Sequence, residues 1–143
     1  LEQRDVLIEK VLDQINEYEQ EGHETIALIG KTMQECVDIY ERLKNRIDIH
    51  LMTQEAHIFE KGIVVIPAYL AKGIEFDAVI IADASNNNFY DELERNLFYT
   101  ACTRAMHQLA LFTIGKPTHF IENIPKQKYR HYKVHQIWDK GTG

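Results

Sequence analysis

Three short stretches carry side chains whose type and spacing suit phosphate chemistry. The first is Gly30-Lys31-Thr32, which ends the apolar run at 25–29. It matches the tail of the phosphate-binding pattern G-x-x-x-x-G-K-[ST]. Such a loop curls backbone N–H groups around an anion, so it needs a flexible turn before the lysine. Here the first glycine position is Thr25, and Ile26, Ala27, Leu28 and Ile29 read as the strand itself. With no amide cradle, an ATP loop is not expected, although Lys31 still sits beside a helix start where an anion could dock. The second stretch is Lys72-Gly73-Ile74-Glu75, between two apolar runs. Its glycine permits a positive φ or a close ligand approach. The third is Thr103-Arg104, after a helical pattern and before an apolar strand. Arginine gives a planar, bidentate grip on phosphate oxygens.

The elements that must position these groups follow from periodicity. Val6, Leu7, Val11, Leu12 and Ile15 sit at helical spacing, so residues 4–21 read as an amphipathic helix, stopped near Gly22. Buried strands are predicted at 25–30, 62–67 (ended by Pro67), 76–83 and 107–115, with a short one at 47–52. Helices are predicted after Thr32 and after Asp91, each with a glutamate three residues on (Glu35 and Glu94) in a capping box. A short helix is predicted at 118–123. Strands alternating with helices at this spacing give a three-layer α/β domain, a mostly parallel sheet covered on both faces. Ligands gather at the carboxyl ends of such strands. That rule points to residues 30–32, 68–73 and 83–88.

Composition excludes several classes. The chain has 143 residues, 45% hydrophobic and 27% charged, enough for one domain with its own core. No apolar run approaches the ~20 residues of a membrane span. The opening LEQRDVLIEK is too charged for a signal peptide. A start at Leu1 running straight into amphipathic sequence leads us to expect a domain cut from a longer protein. Cys36 and Cys102 are too few and too far apart for a disulfide framework, so an intracellular, cytoplasmic location is expected. A net charge of −6 argues against nucleic-acid binding by bulk charge alone. The exception is the end of the chain, where Lys116, Lys126, Lys128, Arg130, Lys133 and Lys140 face only Glu122 and Asp139. Tyr129, Tyr132 and Trp138 in that segment could stack on bases or pack on the domain. His131 and His135 have i, i+4 spacing but no third ligand, so no metal site is expected. Cys102 lies on an apolar helix face and reads as core. Asp77 and Asp83 lack a nucleophile to serve.

Two longer segments carry a resemblance. The segment AYLAKGIEFDAVII (68–81) resembles motif V of the superfamily 1 helicases of the UvrD/Rep type, written H-S-A-K-G-L-E-F. The segment LFYTACTRAMHQLALF (97–112) looks like their motif VI, Y-V-A-x-T-R-A followed by a strand. IALIGKT is similar to the upstream segment in which a strand ends in an aromatic-Arg-Ser/Thr turn. The resemblance implies a second RecA-like domain that closes over ATP and Mg2+ held mainly by a first one. It divides the chain into a RecA-like domain at 1–125 and a basic, aromatic tail at 126–143, with the ATP-binding domain outside the fragment. Arg104 is then the arginine finger that reaches the γ-phosphate. Gly73 and Glu75 face the nucleotide. Lys31, Thr32, Tyr69 and Lys72 approach single-stranded DNA, with Lys31 in place of a family arginine that grips its backbone. Arg95 is a helper on the same helix.

The departures from the family also carry meaning. Tyr69 and Leu70 replace the motif V His and Ser, and Tyr69 can stack on a base. The 43–64 interval has no room for the large subdomain of UvrD and Rep. The N-Y-R-S motif is absent and would precede Leu1. This compact form resembles the HelD-type branch, which implies ATP-driven remodelling of RNA polymerase as an alternative to unwinding. A non-catalytic α/β interaction module is the remaining alternative. The partners implied are single-stranded DNA, the chain's own N-terminal RecA-like domain and, in the HelD-type case, RNA polymerase. No membrane partner is implied. The fragment alone is expected to be inactive as an ATP hydrolase.

Overall fold

Strand β1 (Thr25–Gly30) carries no charged residue and is buried from Ile26 onward. A strand hidden on both faces belongs in the middle of a parallel sheet, and β1 lies there. In this computed structural model, which describes residues 3–56 and 58–134, its partners are β2 (His50–Leu51), β3 (Gly62–Pro67), β4 (Phe76–Ile81), β5 (Ala105–Ile114) and β6 (Arg130–Val134). Their order is β2-β3-β1-β4-β5-β6, and each adjacent pair is parallel. The expected α/β architecture is therefore present as a single six-stranded sheet.

Alternate residues of the central strands point to opposite faces, and each face has its own apolar core. Ile26, Leu28, Val65, Ile80 and Phe112 meet Leu7, Val11 and Ile15 of α1 (Gln3–Gln20) and Cys36, Ile39 and Leu43 of α2 (Met33–Leu43). On the other face Ala27, Ile29, Val64, Val79 and Leu111 meet Phe98 and Ala101 of α3 (Arg95–Cys102), together with Phe120. Ala68, Ala71 and Ile74, from the link between β3 and β4, complete that layer.

Several elements differ from their sequence reading. The strand expected at 47–52 is only two residues long. The strand expected to end at Pro67 does end there, and the residues after it form a 3-10 turn, Ala68–Leu70. The helix after Asp91 begins with a 3-10 turn, Glu92–Glu94, and the segment His119–Asn123 is also 3-10. The division at residue 125 cuts across the sheet, because β6 belongs to it. Tyr132 stacks on Phe112 at 5.0 Å and 21°, and Val134 is buried, while Arg130 and Lys133 are exposed. A one-sided, charged strand is what an unprotected sheet edge favours, and its polarity makes it look like a tail. His135, Trp138 and Lys140 lie outside the described residues.

One side chain pins the start of β1 to β4. Asp77 Oδ2 accepts from the backbone N–H of Glu24 at 2.8 Å and of Thr25 at 3.2 Å. In return the Asp77 amide donates to Thr25 Oγ1 at 2.8 Å. The Glu24 N–H, followed by the Thr25 N–H and the nearby His107 and His23, holds the Asp77 carboxyl below its ordinary value against the opposing effect of burial. A depressed carboxyl contributes stability above its unfolded pKa and loses it as pH falls through the folded one. Asp77→Ala is expected to cost about 1–2 kcal/mol at pH 7. In denaturant titrations the gap from the parent should narrow below about pH 4. A gap that stays constant down to pH 2 would contradict this account.

Candidate functional site

The residues assigned to phosphate chemistry divide between the two edges of the sheet. At the amino edge, β4 begins directly after Glu75 and β5 directly after Arg104. The starts of these two strands are joined through the main chain, where the Phe76 amide donates to the Arg104 carbonyl at 2.8 Å. Phe76 lies opposite Ala105 and Ala78 lies opposite Gln108, so Met106 and His107 together face Asp77. The extra residue of β5 forms a bulge just beyond Arg104. The Arg104 guanidinium is half-buried and turns back on its own helix. Its Nε donates to the Thr100 carbonyl at 3.0 Å and its Nη2 to Thr103 Oγ1 at 3.2 Å. Among the described residues no carboxylate lies within ion-pair distance of it.

The approach to Glu75 explains the sequence Ala71-Lys72-Gly73-Ile74. The link from β3 to β4 must return along the full sheet, and it does so by two tight turns. Ala71 N–H donates to Ala68 O and Ile74 N–H to Ala71 O, each at 3.1 Å. Ala68, Ala71 and Ile74 face the core, which leaves Lys72, Gly73 and Glu75 exposed. Gly73 has φ +87, and a Cβ there would meet nothing within 4 Å. It is required by backbone conformation, not by close packing.

At the carboxyl edge, Lys31 and Thr32 follow β1, and Tyr69 follows β3 with 56% of its surface exposed. Thr32 is the N-cap of α2, its Oγ1 accepting from the Glu35 amide at 3.1 Å. The reciprocal half of that capping box is redirected. Glu35 Oε2 accepts from the Lys31 amide at 3.2 Å, and Oε1 accepts from Asn88 Nδ2 at 2.9 Å. Burial pushes the Glu35 carboxyl up, the Asn88 bond opposes this, and Asp83 reinforces it. The Lys31 ammonium, in turn, is ion-paired with Glu94 and lies 5.9 Å from the centre of the Phe89 ring. Two carboxylates of the chain thus occupy the amide and the ammonium of the Gly30-Lys31-Thr32 turn. Glu35 and Glu94 were legible only as helix caps, because neither long-range partner has a signature in local spacing.

The remaining residues singled out from sequence have structural partners. Arg95 pairs with Glu92 through two bonds and stacks 4.9 Å from the Phe120 ring. Asp83 Oδ1 accepts from the Ser85 amide at 3.1 Å and turns the loop after β4. Cys102 is buried, which pushes its thiol up to about 12. Nε2 of His131 lies 2.8 Å from Thr113 Oγ1, and His135 is outside the described residues.

Comparisons with known proteins bear on this pair of edges. The UvrD-like helicase C-terminal domain model matches residues 62–112, which run from β3 through the Glu75 and Arg104 turns into β5. A crystal structure described as the C-terminal domain of a possible DNA helicase, from Lactobacillus plantarum WCFS1, is 35% identical. The match covers 87% of this chain and 77% of that one, with a TM-score of 0.74. The chain belongs to the UvrD-like helicase C-terminal domain family. Among proteins with curated descriptions, none matches it. No helix among the described residues is long and apolar enough to cross a membrane.

Gly30 offers a test of the carboxyl edge. A Cβ at this position would lie 2.8 Å from Cys36 Sγ and 3.0 Å from Glu35 Oε2. Cys36 is fully buried, so any turn of its thiol must be made within the packed core. Gly30→Ala is therefore expected to cost about 1–3 kcal/mol in urea unfolding. Adding Cys36→Ala should recover part of the loss, because the two changes share one contact. Additive costs in the double variant would rule out the clash.

Proposed function

We propose that this chain is the C-terminal motor domain of an ATP-dependent superfamily 1 DNA helicase or translocase. In this reading ATP and Mg2+ are held mainly by an N-terminal RecA-like domain, and the present chain completes the site from its amino edge. The observation that carries the proposal is the bond between the Phe76 amide and the Arg104 carbonyl, which holds Arg104 beside Glu75; among the described residues the Arg104 guanidinium has no carboxylate partner. A residue held this way fits the edge of a triphosphate. Its present bonds, to a main-chain carbonyl and a hydroxyl, are neutral and can be exchanged for phosphate oxygens, which form stronger charge-assisted bonds.

ATP supplies the phosphoryl group and Mg2+ neutralises its charge, both from the other domain. Arg104 places a cation against the oxygens on which charge develops, and such fingers contribute about 10³–10⁵ in rate. Glu75, exposed at the same turn, is positioned to accept a hydrogen bond from the nucleotide sugar, and the positive φ of Gly73 sets that turn. On the opposite edge Lys31, Thr32 and Tyr69 contact single-stranded DNA, with Lys31 on a phosphate and Tyr69 stacked on a base, and Lys72, on the link that returns from that edge, adds a further contact. The exposure of Tyr69 and Lys72 supports this assignment.

In the full-length protein, Arg104→Ala is expected to lower ATP turnover by about 10³-fold or more while nucleotide binding changes little. Near-normal turnover would remove the arginine-finger assignment. Lys31→Ala should weaken single-strand binding and reduce the slope of log affinity against log salt by about 0.7, the share of one phosphate contact. An unchanged slope would place the DNA elsewhere.

A further inference from the structure

The Lys31–Glu94 pair has a consequence beyond the DNA contact on which it rests. Glu94 uses its two carboxylate oxygens for different tasks. Oε1 accepts from the Tyr90 and Asp91 amides, each at 3.1 Å, and closes the capping box before α3. Oε2 takes the Lys31 ammonium. Both side chains are largely shielded, with 25% of Lys31 and 21% of Glu94 exposed. Burial opposes ionisation of Glu94, yet Lys31 and the two amides outweigh it and hold its carboxyl below the ordinary value. The amides stay satisfied by Oε1 whether or not Lys31 is present, so the ammonium can leave without dismantling the helix start.

We propose that Glu94 is an internal competitor for the nucleic-acid phosphate at Lys31, a latch that a single strand must displace. In the free chain the carboxylate takes the place of the phosphate. On binding, a phosphodiester oxygen replaces Glu94 Oε2 at the ammonium, and the carboxylate keeps its two backbone donors. Affinity is thereby set by the difference between two anions, and Glu94 lowers it. Glu35 does not act in the same way, because it holds the Lys31 amide and not the ammonium.

A glutamine at position 94 separates the two tasks. Its carbonyl oxygen still accepts from the cap amides, since Glu and Gln both serve in a capping box, but it offers Lys31 no charge. With the 143-residue chain and a fluorescent oligothymidylate, Glu94→Gln is expected to bind about two- to fivefold more tightly than the parent, in the range of an ion pair. In a Lys31→Ala background the same change should have no effect. Four outcomes cover the result. Tighter binding that disappears without Lys31 supports the latch. Tighter binding that persists without Lys31 reports general charge repulsion and overturns it. Parent-like binding by Glu94→Gln, with weakened binding by Lys31→Ala, overturns the latch and leaves the DNA contact standing. No change in either single variant overturns both. A measurement without mutation guards against misfolding: carbodiimide labelling of Glu94 in the parent chain should rise when the oligothymidylate is added, and an unchanged or lower yield overturns the proposal.

Discussion

All neighbouring strands of this sheet run in one direction, and that constraint places every residue discussed above. A parallel pair cannot be closed by a tight hairpin, so each connection must travel back along the sheet to the starting edge. Connections therefore expose side chains at both edges. The link between β3 and β4 makes the return in eight residues, 68–75, by burying Ala68, Ala71 and Ile74 and exposing Tyr69, Lys72, Gly73 and Glu75. The link between β4 and β5 uses α3 for the same journey. Because β4 and β5 are neighbours, the ends of these two links arrive side by side. The adjacency of Glu75 and Arg104 is a product of topology before it is a product of chemistry.

Electrostatics then distinguishes the edges. At the carboxyl edge the Lys31 ammonium is neutralised from within, and the Lys31 amide is bound by Glu35. At the amino edge the Arg104 guanidinium rests on neutral oxygens. Other arginines of the chain show what was available: Arg42 pairs with Asp5 and Asp38, and Arg95 with Glu92. In a chain with net charge −6, a half-buried guanidinium free of described carboxylates reflects the composition of its surroundings. The residues from Thr100 to Met106 around it carry no other charge.

The fold class was legible because a doubly buried strand leaves a continuous apolar run and a helix leaves a 3.6-residue stripe. β1, β4, α2 and α3 all have those marks. β6 did not, since an edge strand needs only one apolar side, and Arg130 and Lys133 conceal it. The site was legible in part. The order of the two motifs placed Gly73, Glu75 and Arg104 in one group, but the rule that ligands gather at carboxyl ends points to the opposite edge. The partners of Lys31 were not legible. Glu94 lies 63 positions along the chain from Lys31 and Asn88 lies 53 from Glu35, and pairings of that separation exist only after the sheet has formed.

The two edges are connected by α3 itself. Its eight residues span about 12 Å, with Glu94 just before its first turn and Arg104 just after its last. Phe98 and Ala101 anchor it in the apolar layer, and Tyr99 donates to the Phe120 carbonyl at 2.8 Å. A short, well-packed helix holds its two ends at a fixed separation. One end carries the competitor for nucleic acid, and the other carries the group proposed to meet nucleotide. Because Glu94 Oε1 keeps the Tyr90 and Asp91 amides when Lys31 leaves, exchange at Lys31 leaves α3 in place, and the two edges work as separate sites on one rigid element.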